Sequence, residues 1–174
     1  MSKSIVIYFS QNDEYGIKDA NKDNARIAAE AIKDAVGSDI FRVEFHSNHP
    51  KDVWYTSVGR MRKALKGDAP LKNYLDSVSK YANIFICGPC WYGSYPAAIF
   101  SQLKRLKLDD KKIMCLVVHD GCNPRGCAEE LERKYRRAIY GNSFIIENNE
   151  VISSLQEIKD WALREIKDSA QDDC

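Results

Sequence analysis

This sequence contains no run of apolar residues close to the roughly 20 that a helix needs to cross a bilayer. It has no excess of charge of either sign, because 26 Lys and Arg residues are balanced by 25 Asp and Glu residues, for a formal net charge of +1. No global electrostatic field therefore draws the protein to nucleic acid or to an acidic membrane, and we expect neither as a partner. Internal repeats and low-complexity segments are also absent, so no linker divides the chain.

The composition is that of one globular domain. Hydrophobic residues make up 44% and charged residues 29% of the 174 residues, which argues against disorder. This length suits one domain and is too short for two ordinary ones. We predict a single domain over residues 1–168, followed by a short flexible tail at 169–174.

We expect no secretory signal at the N-terminus, because the apolar stretch after Ser4 has only five residues. A signal-peptide core needs about 7–15. We therefore expect a cytoplasmic location, where the six cysteines are thiols rather than a disulfide framework.

Predicted strands alternate with predicted helices along the chain. The strands are short apolar or alternating segments at 5–9, 39–45, 84–87, 113–118 and 143–146. Helical periodicity is present at 24–35, 61–65, 71–78, 96–106, 126–137 and 152–166. This alternation predicts an α/β fold, a doubly wound five-stranded parallel sheet in the order 2-1-3-4-5 with helices on both faces.

In that strand order the winding reverses between the first and third strands, and ligands bind outside the carboxyl ends of the strands there. Three loops meet at this edge, at 10–24, 88–95 and 119–126. The predicted topology therefore places the functional site in these loops before any motif is considered.

The first loop contains polar groups suited to a phosphate. Ser10 and Gln11 follow the first strand, and Asn24 lies at the start of a helix, whose N-terminal N–H groups bind anions. The alternative is purely structural, with Asn24 as the N-cap of the helix and Ser10 as the end of the strand.

The second loop is aromatic, with Trp91, Tyr92 and Tyr95 within a few residues. Such rings offer a stacking surface for a flat heterocycle, and Gly93 allows the backbone to approach it. Alternatively, the rings cover the end of the sheet.

In the third loop, His119 and Asp120 are suited to handling protons at a bound ligand, although a surface turn would have a similar composition.

These three loops resemble those of the flavodoxin family, and more closely a bacterial branch with a lengthened phosphate loop. Residues 8–10 match its Tyr-Phe-Ser strand end, and residues 23–25 stand where that branch has Gly-Asn-Thr. Residues 89–96 correspond to its Pro-x-Trp-Trp-Gly-Thr-x-Pro loop, the most specific of the motifs, and residues 118–121 to its Thr-His-Glu-Gly loop. The resemblance covers the chain from Ile5 to about Ile146.

The resemblance implies that FMN binds at this edge, with electron transfer or flavin-dependent reduction as the function. Redox partner proteins or a small-molecule electron acceptor would then be the partners. The implied cofactor contacts are Ser10, Gln11, Asn24 and Ala25 at the phosphate, Pro89, Cys90, Trp91, Tyr92 and Gly93 at the ring, and His119, Gly121 and Cys122 at the ring edge.

Two residues depart from the family pattern in the phosphate loop. Asp23 replaces a glycine and adds a carboxylate beside a phosphate dianion, while Ala25 lacks the hydroxyl donor of threonine. Losing one hydrogen bond to a charged group costs about 1.5–3 kcal/mol. The sequence therefore predicts weakened FMN binding.

Two other functions remain open. Cys87-Gly88-Pro89-Cys90 has the spacing of a dithiol redox motif, but it ends a buried strand instead of opening a helix. With Cys122 and Cys127 these cysteines form a conceivable metal cluster, although the Cys-x4-Cys spacing is not that of a usual ligand pair, and we expect no metal. The other alternative is a flavodoxin fold that has lost FMN and serves as an interaction module.

Overall fold

The computed structural model describes residues 3–10, 23–44, 71–121 and 123–168, called the described residues below. Their elements, in chain order, are β1 (Ser4–Phe9), α1 (Asn24–Val36), β2 (Asp39–Val43), β3 (Asn83–Pro89), α2 (Ala97–Leu103), β4 (Lys112–His119), α3 (Arg125–Lys134), β5 (Ile139–Tyr140), β6 (Phe144–Glu147) and α4 (Leu155–Asp168). A 3-10 turn at Asn148–Glu150 precedes α4. No helix in these ranges is long and apolar enough to span a membrane.

The strands form one parallel sheet in the order β2-β1-β3-β4-β5, with β6 also paired to β4. This confirms the predicted doubly wound order. The strand predicted at 143–146 corresponds to β6, which pairs with the end of β4, and β5 is an additional two-residue strand that pairs with the start of β4. Between them, Asn142 donates its backbone N–H and its side-chain amide to the Glu165 carboxylate, at 3.1 and 2.9 Å. These bonds hold the chain at the break against α4.

Apolar side chains alternate between the two faces of the sheet and form two cores. On one face Ile5, Ile7 and Phe9 of β1 pack with α2 and α3. On the other face Val6 and Tyr8 pack with α1 and α4. Both faces of the central strands are buried, which explains why their sequences are continuous apolar runs.

One predicted helix is wrong. Residues 71–78 form an irregular segment, because other parts of the chain bind their backbone groups. The side-chain amide of Gln102 in α2 accepts from the N–H of Leu75 at 2.9 Å and donates to its carbonyl at 2.8 Å. The N–H of Lys72 donates to the carbonyl of Glu44 at 2.8 Å.

The helix predictions that fall on described residues otherwise hold with shifted ends. The helix predicted at 96–106 ends at Leu103, and the one predicted at 126–137 ends at Lys134. The last helix begins at Leu155 rather than at 152. The predicted helix at 61–65 and the predicted tail at 169–174 lie outside the described residues.

Candidate functional site

The carboxyl ends of β1, β3 and β4 lie side by side, so the residues that follow them share one edge of the sheet. Ser10 follows β1, Cys90 follows β3, and His119 is the last residue of β4. The parallel sheet thus places the starts of the three loops that the sequence singled out at one edge.

The aromatic loop after β3 is closed by a tight turn. The N–H of Trp91 donates to the carbonyl of Ser94 at 2.7 Å, and the N–H of Ser94 donates back to Trp91 at 3.1 Å. Tyr92 and Gly93 at the tip have φ values of 53° and 80°, as in the two-residue turns that join antiparallel strands. Tyr92 is consequently 72% exposed at this edge.

The three aromatic residues of this loop occupy different environments. Trp91 is partly buried and meets Phe9 edge to face, with ring centroids 5.5 Å apart and planes at 82°. Tyr95 is fully buried, and its hydroxyl lies 3.1 and 2.9 Å from the carbonyl oxygens of Ile86 and Leu116. Tyr95 therefore belongs to the core, and burial raises its pKa well above the ordinary value. Only Trp91 and Tyr92 of the three are accessible to a ligand.

The aromatic loop is joined to the loop after β4 and to α3. The N–H of Cys90 donates to Val118 at 2.7 Å, and its thiol lies 3.5 Å from the carbonyl of Asn123. A Cβ atom at Gly126 would overlap the carbonyl oxygen of Gly93. These contacts fix the aromatic loop, including its link to Pro89 at the end of β3, to the first turn of α3.

Glu130 of α3 provides a second attachment for the aromatic loop. Its carboxylate accepts hydrogen bonds from the Ser94 hydroxyl and from the Lys134 ammonium, the latter at 2.8 Å. Burial acts to raise the pKa of Glu130, but these two donors outweigh it and the pKa lies below the ordinary value. The loop is therefore held by an ionised carboxylate at neutral pH.

His119 lies at the rim of the site and has one ring nitrogen engaged. Its Nδ1 accepts the backbone N–H of Gly121 at 3.1 Å, and Gly121 has a φ of 90°. In the neutral imidazole the hydrogen then lies on Nε2, which can donate a hydrogen bond to a ligand. Asp120 is exposed beside it. Proton handling by these residues stays a prediction, and Cys122 lies outside the described residues.

At the other end of the site, the Asp23 carboxylate binds two donors of the kind predicted to hold a phosphate, a hydroxyl and a backbone N–H at the start of a helix. Its carboxylate accepts the hydroxyl of Ser10 and, at 3.1 Å, the backbone N–H of Arg26. Asp23 is the N-cap of α1, so the alternative that Asn24 fills this position is wrong by one residue. The preference for aspartate at helix N-caps was the available sequence signal.

The remaining residues predicted at the phosphate point elsewhere. The Asn24 amide donates to the backbone carbonyl and the side-chain oxygen of Asn148, at 2.7 and 2.9 Å. Ala25 is fully buried in the core beneath α1. Gln11 lies outside the described residues. Asn148, in the turn after β6, had no signal in the sequence.

The cysteines of the dithiol motif lie on opposite faces of the sheet. Cys87 packs in the core with α1 and α4, whereas Cys90 packs in the core with α2 and α3. Burial raises the pKa of Cys87 well above the ordinary value. Neither forms a disulfide, nor do Cys115 and Cys127, and no cluster of potential metal ligands is found among the described residues.

No known protein-family model matches this chain, and no curated protein is detectably similar to it in sequence. Solved structures do share its fold. A candidate flavoprotein from Bacteroides uniformis has a TM-score of 0.72 at 19% identity, covering 92% of this chain and 97% of its own. One from Bacteroides eggerthii has a TM-score of 0.68 at 20% identity, covering 91% and 98%.

A flavoprotein from Lactobacillus acidophilus, in complex with FMN, has a TM-score of 0.62 at 17% identity and covers 88% of this chain and 98% of its own. These similarities span nearly the whole length of each protein. Together with the strand order, they show that this chain has a flavodoxin-like fold.

Proposed function

We propose that this chain is a flavin-dependent redox protein that holds the ring of a flavin at the carboxyl edge of the sheet, with FMN as the form expected from the sequence. The observation that carries this proposal is Trp91, a partly buried indole held against Phe9 where the winding of the sheet reverses. The FMN complex of a structure with the same fold supports it.

The residues at the ring end of the site fit an isoalloxazine. Trp91 supplies a flat apolar surface whose orientation the sheet fixes, and Tyr92 supplies a second aromatic ring at the rim. The turn at Tyr92 and Gly93 brings the backbone close to this surface. Gly93 has no side chain to occupy the space beside it. The phosphate end does not fit in the same way, because Asp23 already binds the hydroxyl of Ser10.

A bound flavin supplies the chemistry of accepting electrons singly or as a hydride. The protein's own residues position it and exclude water from one side of the ring. His119 can donate a hydrogen bond from Nε2 to a bound ligand, since in the neutral imidazole Nδ1 accepts the N–H of Gly121.

Within this function, reduction of a small-molecule acceptor is favoured over electron transfer to a partner protein. The net charge of +1 provides no global field for steering an oppositely charged protein partner. We place the protein in the cytoplasm, where the thiols of Cys87, Cys90, Cys115 and Cys127 stay reduced.

Titration of the apo protein with FMN tests the proposal. Saturable quenching of flavin and tryptophan fluorescence, with visible flavin bands retained after desalting, is the expected result. NADH-dependent reduction of a quinone or dye by the loaded protein would then support a reductase, and electron delivery only to a protein acceptor would support a carrier. Absence of binding by any flavin would contradict both.

One observation favours a second function, that of an interaction module without cofactor. Asp23 caps α1 and binds Ser10 inside the chain, so the N–H of Arg26 at the helix N-terminus has an acceptor without a ligand. For this function, no flavin would bind and flavin would not raise the melting temperature.

A further inference from the structure

Tyr92, at the tip of the aromatic loop, is a large ring that the protein keeps in solvent. It is 72% exposed and has a φ of 53°, in the left-handed region that residues other than glycine seldom adopt. Two-residue turns of this kind favour asparagine or glycine at that position, so neither the turn nor the core accounts for a tyrosine there. Backbone strain at an exposed residue points to a role in binding.

Arg125, the first residue of α3, lies beside this turn. A Cβ atom at Gly126 would overlap the carbonyl oxygen of Gly93, so the backbones of the turn and of the helix are in contact. Tyr92 and Arg125 each precede one of these glycines by a single residue, which is about 3.8 Å of chain. Both side chains therefore start from the same small area at the carboxyl edge of the sheet.

The guanidinium of Arg125 has no hydrogen bond or ion pair with another described residue. Glu129 stands four positions further along α3, at the same spacing as Glu30 from Arg26 in α1, where the two side chains pair at 2.8 Å. Arg125 and Glu129 are both exposed and form no such pair. Within the described part of the chain, the donors of Arg125 are therefore left for a group that the protein does not supply.

The stability of α3 does not explain a cation at this position. A positive charge in the first turn of a helix is opposed by the helix dipole, and the first turn of α3 contains no acidic residue to offset it. Among the acidic side chains around it, Asp120 and Glu129 are exposed and screened by solvent, and Glu130 is bound to Lys134. An anion that approaches Arg125 therefore meets no buried negative charge among the described residues.

We propose that Tyr92 and Arg125 form a subsite for the substrate, and that this substrate is an aromatic anion, a planar ring that carries a carboxylate or a sulfonate. The inference rests on the proposed flavin-dependent function and specifies its substrate class. The substrate ring stacks on the exposed ring of Tyr92, and the guanidinium of Arg125 donates to the anionic oxygens, whose geometry matches its paired N–H groups. Both residues bind and orient the substrate and take no part in electron transfer.

The first experiment compares two probes of the same shape by isothermal titration calorimetry at pH 7. Naphthalene-2-sulfonate and naphthalene-2-sulfonamide share the ring, but only the sulfonate is charged. We expect the wild-type protein to bind the sulfonate about fivefold more tightly, the upper range for one exposed charge pair. Added salt should reduce this preference, because exposed charges are screened. Equal affinity for the two probes would overturn the inference.

Variants of Arg125 and Tyr92 test the two contacts separately. Arg125→Gln should abolish the preference for the sulfonate, and Arg125→Lys should retain part of it. Tyr92→Ala should weaken both probes by the same factor, because stacking does not depend on the sulfonate charge. Arg164→Gln is the matched control, since it removes the same charge from an exposed side chain of α4, which packs on the other face of the sheet. A preference that survives in Arg125→Gln would overturn the role of Arg125.

Two electron acceptors then connect this binding with the reaction. When photoreduced, flavin-loaded protein is mixed anaerobically with a low concentration of 1,4-naphthoquinone-2-sulfonate, reoxidation should be about fivefold slower in Arg125→Gln than in the wild type. Reoxidation by neutral 1,4-naphthoquinone should be unchanged, and equal slowing with both acceptors would overturn the inference. The comparison of the naphthalene probes needs no bound flavin. A chain that binds no flavin would therefore contradict the proposed function, while the probes still decide whether Arg125 binds anions.

Discussion

The indole of Trp91 stands edge-on to the ring of Phe9, the last residue of β1, with 5.5 Å between the ring centroids. Phe9 is 1% exposed, so it is part of the core rather than of the loop. The orientation of Trp91 is therefore fixed by the sheet as well as by its own turn. A ring held in this way loses little conformational freedom when a ligand stacks on it.

Replacing Trp91 by alanine should weaken flavin binding by about 1–3 kcal/mol, the usual range for one aromatic–base stacking contact. Trp91→Phe should retain part of the affinity, because a flat ring remains. Fluorescence titration with riboflavin and FMN measures the effect. If Trp91→Ala leaves both dissociation constants unaltered, the stacking role moves to Tyr92, since Tyr95 is buried in the core.

The fold could be predicted almost entirely from the sequence, because burial on both faces leaves a continuous apolar pattern in the central strands. The strand order and the meeting of three loops at one edge followed from it. The segment at 71–78 could not be predicted in this way. Its apolar spacing is helical, but the backbone bonds of Leu75 to Gln102, 27 positions away, override that local pattern.

The site was predicted in outline only. The sequence placed Trp91, Tyr92 and Tyr95 in one loop, but pattern alone does not distinguish a ring that faces a ligand from one that faces the core. At α1 the cap was assigned one residue late, to Asn24 instead of Asp23. Adjacent polar residues have similar capping preferences, and the choice depends on which side chain reaches the N–H of Arg26.

Gly126→Ala should displace the aromatic loop and weaken flavin binding. The added Cβ would overlap the backbone carbonyl of Gly93, which cannot move without shifting the turn that holds Trp91. We expect a loss of about 1–3 kcal/mol in the free energy of unfolding, as for other overpacked sites. Chemical denaturation and riboflavin titration measure the two effects.

Gly37→Ala is the control for a loss of stability alone. Gly37 ends α1 with a φ of 63° and has open space around it, so alanine there costs about 1–2 kcal/mol through backbone strain. Flavin affinity should not change in this variant. Equal losses of affinity in both variants would show that binding follows global stability and not the position of the loop.

The thiols of Cys87 and Cys115 should not react with a thiol reagent in the native protein at pH 8. Both are fully buried, and burial raises the pKa of Cys115 to about 12, so the reactive thiolate is scarce. Both should react once guanidinium unfolds the chain. Mass spectrometry of labelled peptides identifies the modified residues.

Mild oxidation of the native protein should likewise produce no disulfide between Cys87 and Cys90, because they lie in different cores. A disulfide between these two residues in non-reduced peptides would restore the dithiol function in place of the flavin-dependent one.

Glu130→Gln should make stability less sensitive to acid. The pKa of Glu130 is lower in the folded protein than its usual value of 4.5, because the bonds from Lys134 and Ser94 outweigh the effect of burial. The ionised carboxylate therefore contributes stability that is fully present above pH 4.5 and is lost as the pH falls through the lower, folded pKa. Denaturation series at several pH values give the free energy of unfolding of each protein.

The difference in that free energy between the wild type and Glu130→Gln should be constant near neutral pH and should shrink as the pH falls below 4.5. Glu129→Gln, an exposed neighbour on α3, controls for the change in net charge. Because Glu130 also holds Ser94, loop attachment should weaken over the same range, and riboflavin affinity should fall with pH in the wild type more steeply than in Glu130→Gln. Parallel pH profiles for the two proteins would show that Glu130 stabilises α3 without anchoring the aromatic loop.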